Sequence, residues 1–254
     1  MDKWTPLGNE DGQIGSGASK DSDERWIEPK MDSLPRRLFN AFVSPERLMN
    51  QVAKEPKWVG ALLLTTLISG VTAAMVPPEL IFETIRQQMI AQGTSFESLS
   101  ESQEMMTALR YGRIPGAVIF SLVLQFGIAA IYSVLFIFIL GDDGSFSQYL
   151  AAVSHGWFIP VFVGVLLFPL MIQTQNLELR LSVDVFIAGF IEGGFVRNVA
   201  KLLDLTVIWS ILVIAQGVHA IDRRRSFGSA ATMMLALFFV YAVTIGFLQT
   251  RAVA

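Results

Sequence analysis

Residues 114–172 read IPGAVIFSLVLQFGIAAIYSVLFIFILGDDGSFSQYLAAVSHGWFIPVFVGVLLFPLMI, and this stretch decides the fold. Ile114 to Leu140 contains no Asp, Glu, Lys or Arg, and neither does Tyr149 to Ile172, although the second run holds His155, Pro160 and Pro169. Each run exceeds the length of about 20 residues that crosses a bilayer core at about 1.5 Å rise per residue. The loop between them, GDDGSFSQ at 141–148, is too short to join parallel spans, so the pair reads as an antiparallel hairpin. The rest of the composition agrees. The 254 residues are 52% hydrophobic and 16% charged, against about 25% charge in an ordinary soluble domain. The chain has no cysteine, which excludes disulfides and thiolate metal sites, and its net charge of −3 implies no nucleic-acid partner.

Working outward, three more apolar runs complete a set of five spans. They lie at about 58–76, 114–140, 149–172, 202–221 and 227–250. The predicted fold class is therefore all-α: a polytopic membrane helical bundle with five transmembrane helices and short interfacial amphipathic helices. Residues 1–32 are rich in Gly, Ser, Asp and Lys and are read as a disordered cytoplasmic tail, with Trp4 and Trp26 as its aromatic exceptions. No apolar run starts before Trp58, so the spans themselves are expected to direct insertion. Residues 33–57 are read as a basic amphipathic segment on the membrane surface. Leu34, Leu38, Phe39 and Phe42 share one face, Ser44-Pro45 starts a second helix, and Leu48, Met49 and Val52 continue the stripe. Pro77-Pro78 ends the first span. Short amphipathic helices are expected through Leu80, Ile81, Ile85 and Met89, closing near Gly93, and from Ser100 to Tyr111. VDVFIAGFI at 183–191 is too short to cross and reads as interfacial or re-entrant.

Orientation follows from the Lys and Arg distribution. With the N-terminus inside, the cytoplasmic side carries nine in residues 1–57 and three at Arg223–Arg225, against seven on the other side. The N-terminus is expected in the cytoplasm and the C-terminus outside.

The order of these features resembles the Yip-domain family of five-span membrane proteins, the Ypt/Rab-interacting proteins and their bacterial relatives. The resemblance runs over roughly Leu38 to Leu248. It rests on RLFNAFVSPERLM at 37–49, a proline (Pro56) before the first span, GDDGSFSQYLAAVSHGWFIP at 141–160 and LLDLTVIWSILVIAQGVHAIDRRRSFGSAATMM at 202–234. In the last of these, Asp204 precedes Trp209, Gly217 follows eight residues on, and a short basic link comes next. The resemblance implies a helical bundle with a cytoplasmic N-terminal region. Eukaryotic members are associated with Rab-type GTPases and membrane traffic. This chain lacks the DLYGP-type motif of those members and has SHGWFIP where they carry a tyrosine-rich segment. The resemblance therefore points to the bacterial branch and an inner-membrane location, and it does not carry over a Rab-type GTPase partner.

Four polar or special positions stand out as possible functional sites: His155, Pro160, Asp204 and Trp209. Pro160 cannot donate to the Gly156 carbonyl, so the third span is expected to kink beside a titratable imidazole. Such a site suits a proton relay or an anion, and a neutral histidine bonded to a neighbouring helix is the alternative. Asp204 is expected to pair with Lys201 one turn earlier, or to line an ion path. Glu192 and Arg197 belong to the same outer stretch. Asp142-Asp143 fit a turn better than a calcium site. Gln125, Gln216 and His219 suit hydrogen bonds between helices, and Gly189 and Gly193 form a small-xxx-small pattern. No HExxH, GxSxG, P-loop or dinucleotide fingerprint occurs. The expectation is a non-enzymatic scaffold or adaptor without catalytic, cofactor-binding or metal residues. Its partners would be the bilayer and a membrane protein or a second copy of itself. The alternative is a small transporter or channel component built around the kinked third span and the start of the fourth.

Overall fold

The computed structural model describes residues 31–91, 103–191 and 193–253. The reading of residues 1–30 as a tail lies outside them, as do Gly93, the first residues of the helix expected from Ser100, and Glu192. The described chain is helical throughout, and its one ladder contact is an isolated antiparallel bridge between Ser182 and Asp204.

Two short helices, α1 (Leu34–Val43) and α2 (Pro45–Lys54), open the fold, each with a proline in its first turn where the missing N–H costs nothing. Much of their apolar stripe is covered by the protein itself, while Phe39 stays 64% exposed. Leu38, Ala41, Leu48, Met49 and Val52 are buried against the protein's own spans, because facing helices supply a closer-packed apolar surface than lipid tails do.

The first span, α3 (Val59–Met75), stops at Pro77 and turns by 87° into α4 (Pro78–Ala91). The helix expected to end at Tyr111 is continuous with the second span. α5 runs from Gln103 to Ser133 straight through Pro115, and its last turns widen into a π-helix, Val134–Ile139. The third span begins at Phe146, where Gln148 Oε1 accepts the Ser145 amide at 2.8 Å. It is made of α6 (Phe146–Gly156) and α7 (Phe158–Gln173), interrupted at Trp157, four residues after the Val153 carbonyl that its amide reaches at 2.7 Å. α8 (Asp184–Ile187) and α9 (Phe195–Leu202) follow, then α10 (Leu205–Ile221) and α11 (Phe227–Val253). The fourth run starts at Leu205 rather than Leu202, because Asp204 caps it and α9 claims the residues before.

Among the described residues, three segments are long and apolar enough to cross a membrane: Tyr111–Ile139, Phe146–Gln173 and Phe227–Arg251. The bent pair α3–α4 makes a fourth candidate. α10 is equally apolar but has 17 residues, about 25 Å of helix against a hydrocarbon core of about 30 Å.

Packing is uneven along the bundle. α6 is buried from Tyr149 to Gly156 and is enclosed by α1, α2, α3, α5 and α10. A Cβ at Gly156 would come within 2.5 Å of Ile214 Cγ1, and one at Gly217 within 2.8 Å of the Ala152 Cβ and 3.0 Å of Met49 Sδ. These two glycines let α10 lie directly on α6 and α2. At the other end the spans separate.

Candidate functional site

His155 sits in the densest part of this core and is fully buried. Arg37, from α1, donates through Nη1 to His155 Nε2 at 3.1 Å and to the Lys57 carbonyl at 3.1 Å. A guanidinium can only donate, so Nε2 must accept and the ring proton sits on Nδ1. That proton is donated to the Ala151 carbonyl at 2.8 Å. Both ring nitrogens are thereby occupied. Arg37 is itself buried; desolvation pulls its pKa down and the Glu55 charge pushes it back up. An arginine keeps its proton under such a shift, so a fixed positive charge faces the imidazole. The pre-span segment is thus tied to the middle of the third span by a buried polar contact across 118 residues of sequence.

A second set of polar contacts closes the same end. Arg225 grips Asp142 in a fork, Nε donating to Oδ2 at 2.5 Å and Nη2 to Oδ1 at 2.6 Å. Its guanidinium also lies over the Phe136 ring, 5.7 Å from the centroid, and Phe136 stacks on Tyr149 at 6.1 Å. Asp222 accepts the Asp143 amide at 2.8 Å, and Arg224 bridges Asp222 and Asp143. The Arg224 side chain, with the Asp143 amide behind it, holds the Asp222 carboxyl well below the usual carboxylate range. Arg223 reaches Asn50 of α2 at 2.5 Å, and Gln148 donates to the Ala53 carbonyl at 2.7 Å. The His219 ring meets the Arg225 carbonyl at 2.7 Å. Asp32 gathers Arg36, Arg47, Asn40 and Gln51. Burial pushes its carboxyl up, but the Gln51 hydrogen bond and the two arginine charges win and lower it. Asp142 and Asp143 are therefore ion-pair partners of the triple-arginine link as well as turn residues. The Asp142–Arg225 pair went unseen in the sequence because 83 residues separate its members. The available signal was that both loops fall on the same predicted side with opposite charge.

The other singled-out residues are dispersed. Asp204 accepts from the Thr206 amide at 2.7 Å and its hydroxyl at 2.6 Å, both on Oδ1, so its partner is its own helix rather than Lys201. Arg197 pairs with Asp184 at 3.0 Å. Trp209 is 41% exposed on the outer surface of α10. Gln125 bonds Thr65 of α3 at 3.0 Å, an interhelical contact of the expected kind. A Cβ at Gly189 or Gly193 would meet nothing within 4 Å, so that pair supports no close helix contact among the described residues.

Where the spans separate, a cavity of about 830 Å³ opens between α5, α7, α10 and α11. Pro160 and Asp204 line it, whereas His155 and Trp209 do not. The structure thus divides the expected site in two: a sealed Arg37–His155 contact, and an open apolar cavity with Asp204 at its rim.

Comparison with known proteins gives one kind of answer. The Yip1 domain family model matches residues 39–248. No curated protein and no solved structure matches the chain.

Proposed function

We propose that this chain, which belongs to the Yip1 domain family and is an integral membrane protein, works as a non-enzymatic scaffold or adaptor. It crosses the membrane five times, with α3 and α10 as the short first and fourth crossings, and it belongs to the bacterial branch of the family, in the inner membrane. The N-terminus lies in the cytoplasm and the C-terminus outside. Its partner is a membrane protein or a second copy of the chain; a Rab-type GTPase is not part of this reading.

One observation carries the scaffold reading. The titratable residue best placed for a translocation path, His155, has both ring nitrogens occupied inside a packed core and does not face the cavity. A relay needs a group that can release and regain its partner; this imidazole holds two helices together instead. The competing reading, a transporter or channel component, has an observation of its own: Pro160 and Asp204 line one cavity.

Proximity labelling separates the two, with the labelling enzyme fused to the C-terminus in native membranes. The scaffold reading expects a discrete set of labelled membrane neighbours, with soluble neighbours drawn from the outer compartment. Removing residues 1–32 is expected to thin the set if the tail recruits. Unenriched, random neighbours would overturn the scaffold reading, and labelled cytoplasmic proteins would overturn the orientation. Ion flux through proteoliposomes that fell with Asp204→Asn would move the assignment to transport.

A further inference from the structure

The cavity has the dimensions of one leaflet. On α10 its wall runs from Asp204 to Ile214, and on α7 from Trp157 to Met171. At about 1.5 Å per residue these walls are about 15 and 21 Å long, against about 15 Å for half of a hydrocarbon core. The volume of about 830 Å³ falls in the range of about 300–1,000 Å³ typical of pockets that enclose a small molecule. Phe120, Ile131, Leu237 and Tyr241 line it while remaining exposed, so its outer edge faces the bilayer through α5 and α11.

Its polar groups are few and graded with depth. Arg180 and Asp204 both line the cavity, and their backbone segments run alongside each other through the Ser182–Asp204 bridge and the Leu205 amide donating to the Leu181 carbonyl at 2.8 Å. Arg180 makes no ion pair among the described residues. Thr206 occupies only Oδ1 of Asp204, which leaves Oδ2 for another donor. Six residues deeper, about 9 Å along the helix, Ser210 lines the wall. It is 1% exposed, and its hydroxyl has no partner among the described residues. A buried hydroxyl without an acceptor is costly, and a ligand in the cavity could supply one.

We propose that this cavity is a binding site for one glycerophospholipid with a phosphate and a primary amine in its headgroup. An acyl chain lies along the apolar walls of α5, α7 and α11. The phosphate meets Arg180, the ammonium donates to Asp204, and an ester carbonyl accepts from Ser210. The ester fits that depth because the interfacial layer is about 5–8 Å thick on each side of the core. Charge complementarity selects the headgroup: a purely anionic lipid would place its charge beside Asp204, and a choline has no N–H to give the carboxylate.

Gly164 supplies the test. It lines the cavity, and a Cβ there would meet nothing within 4 Å, so a large side chain fills the space without pushing on the protein. The full chain is reconstituted with equimolar dioleoyl phosphatidylethanolamine, phosphatidylglycerol and phosphatidylcholine, released into mild detergent, and weighed by native mass spectrometry. The proposal expects one retained lipid per chain, with phosphatidylethanolamine enriched at least about threefold over the other two. Gly164→Phe is expected to abolish retention, with Gly164→Ala as the control that keeps it. Arg180→Gln and Asp204→Asn are expected to reduce the enrichment; asparagine still caps the helix, which isolates the loss of charge. If Gly164→Phe does not fold, Leu167→Trp on the same wall takes its place. Equal retention of all three lipids, or preference for phosphatidylglycerol, overturns the headgroup assignment. Retention that survives a folded cavity-filling variant overturns the site.

Discussion

At the scale of single residues, the buried Arg37–His155 contact is the most consequential pairing. The imidazole Nε2 and the Lys57 carbonyl both depend on one guanidinium. Removing that donor leaves the buried imidazole acceptor unsatisfied, at about 1–3 kcal/mol. Arg37→Ala is therefore expected to lower the thermal midpoint clearly, and His155→Phe to lower it less, since an aromatic ring refills the space. The double variant is expected to be less destabilised than the sum of the two, with a coupling of about 0.5–3 kcal/mol for residues in contact. Thermal unfolding in one detergent measures all three, and strict additivity would show that the two side chains do not act together. The burial of His155 was legible in the sequence from its place inside an apolar run. Its partner was not, because Arg37 lies 118 residues away in a segment read as amphipathic and basic, and only tertiary packing brings the two together.

At the scale of elements, the helices differ in how closely they approach. α10 meets α6 and α2 through Gly156 and Gly217, where an added methyl would overlap Ile214, Ala152 or Met49. Gly156→Ala and Gly217→Ala are each expected to cost about 1–3 kcal/mol by overpacking. Gly116→Ala and Gly127→Ala on α5 meet open space and gain about 0.5–1 kcal/mol of helix propensity instead. Denaturant or thermal unfolding of the four variants reads the contrast directly. The long apolar runs announced, within a few residues, the three segments that are long and apolar enough to cross a membrane. What the pattern missed were ends set by polar detail: the Asp204 cap that shortens α10, and the α5 helix that carries through Pro115. A run of apolar letters reports burial, and it does not report which carbonyl the next amide will reach.

At the scale of the whole molecule, one end is latched and the other parted. The latch joins the loop before α6 to the loop before α11 through Asp142–Arg225 and the Asp222–Arg224–Asp143 set. Asp222 has a folded pKa below its unfolded value of about 3.9. Its contribution to stability is therefore complete above that unfolded value and is lost as the pH falls towards the folded one. The thermal midpoint is expected to stay level in this respect from pH 7 to about 5 and to fall below about pH 4. Asp222→Asn should flatten that acid limb while lowering the midpoint at neutral pH. An unchanged acid limb in the variant would assign it to other carboxylates. The two-ended character was only half legible. The clustering of basic residues in 1–57 and at Arg223–Arg225 was legible, but the separation of helices that opens the cavity depends on packing between elements distant in sequence.

The docking of α2 onto α10 also sets an order of events during synthesis. Leu48, Met49 and Val52 leave the ribosome long before Leu205–Ile221, the helix that covers them. At about 5–20 residues per second the gap between the two elements amounts to roughly 8–30 s. During that interval α3, α6 and α7, which α1–α2 also touch, emerge first, while α10, the helix that α2 packs on most, is still missing. The cover over α1–α2 is thus expected to close in steps as each later apolar run emerges, with α10 arriving last.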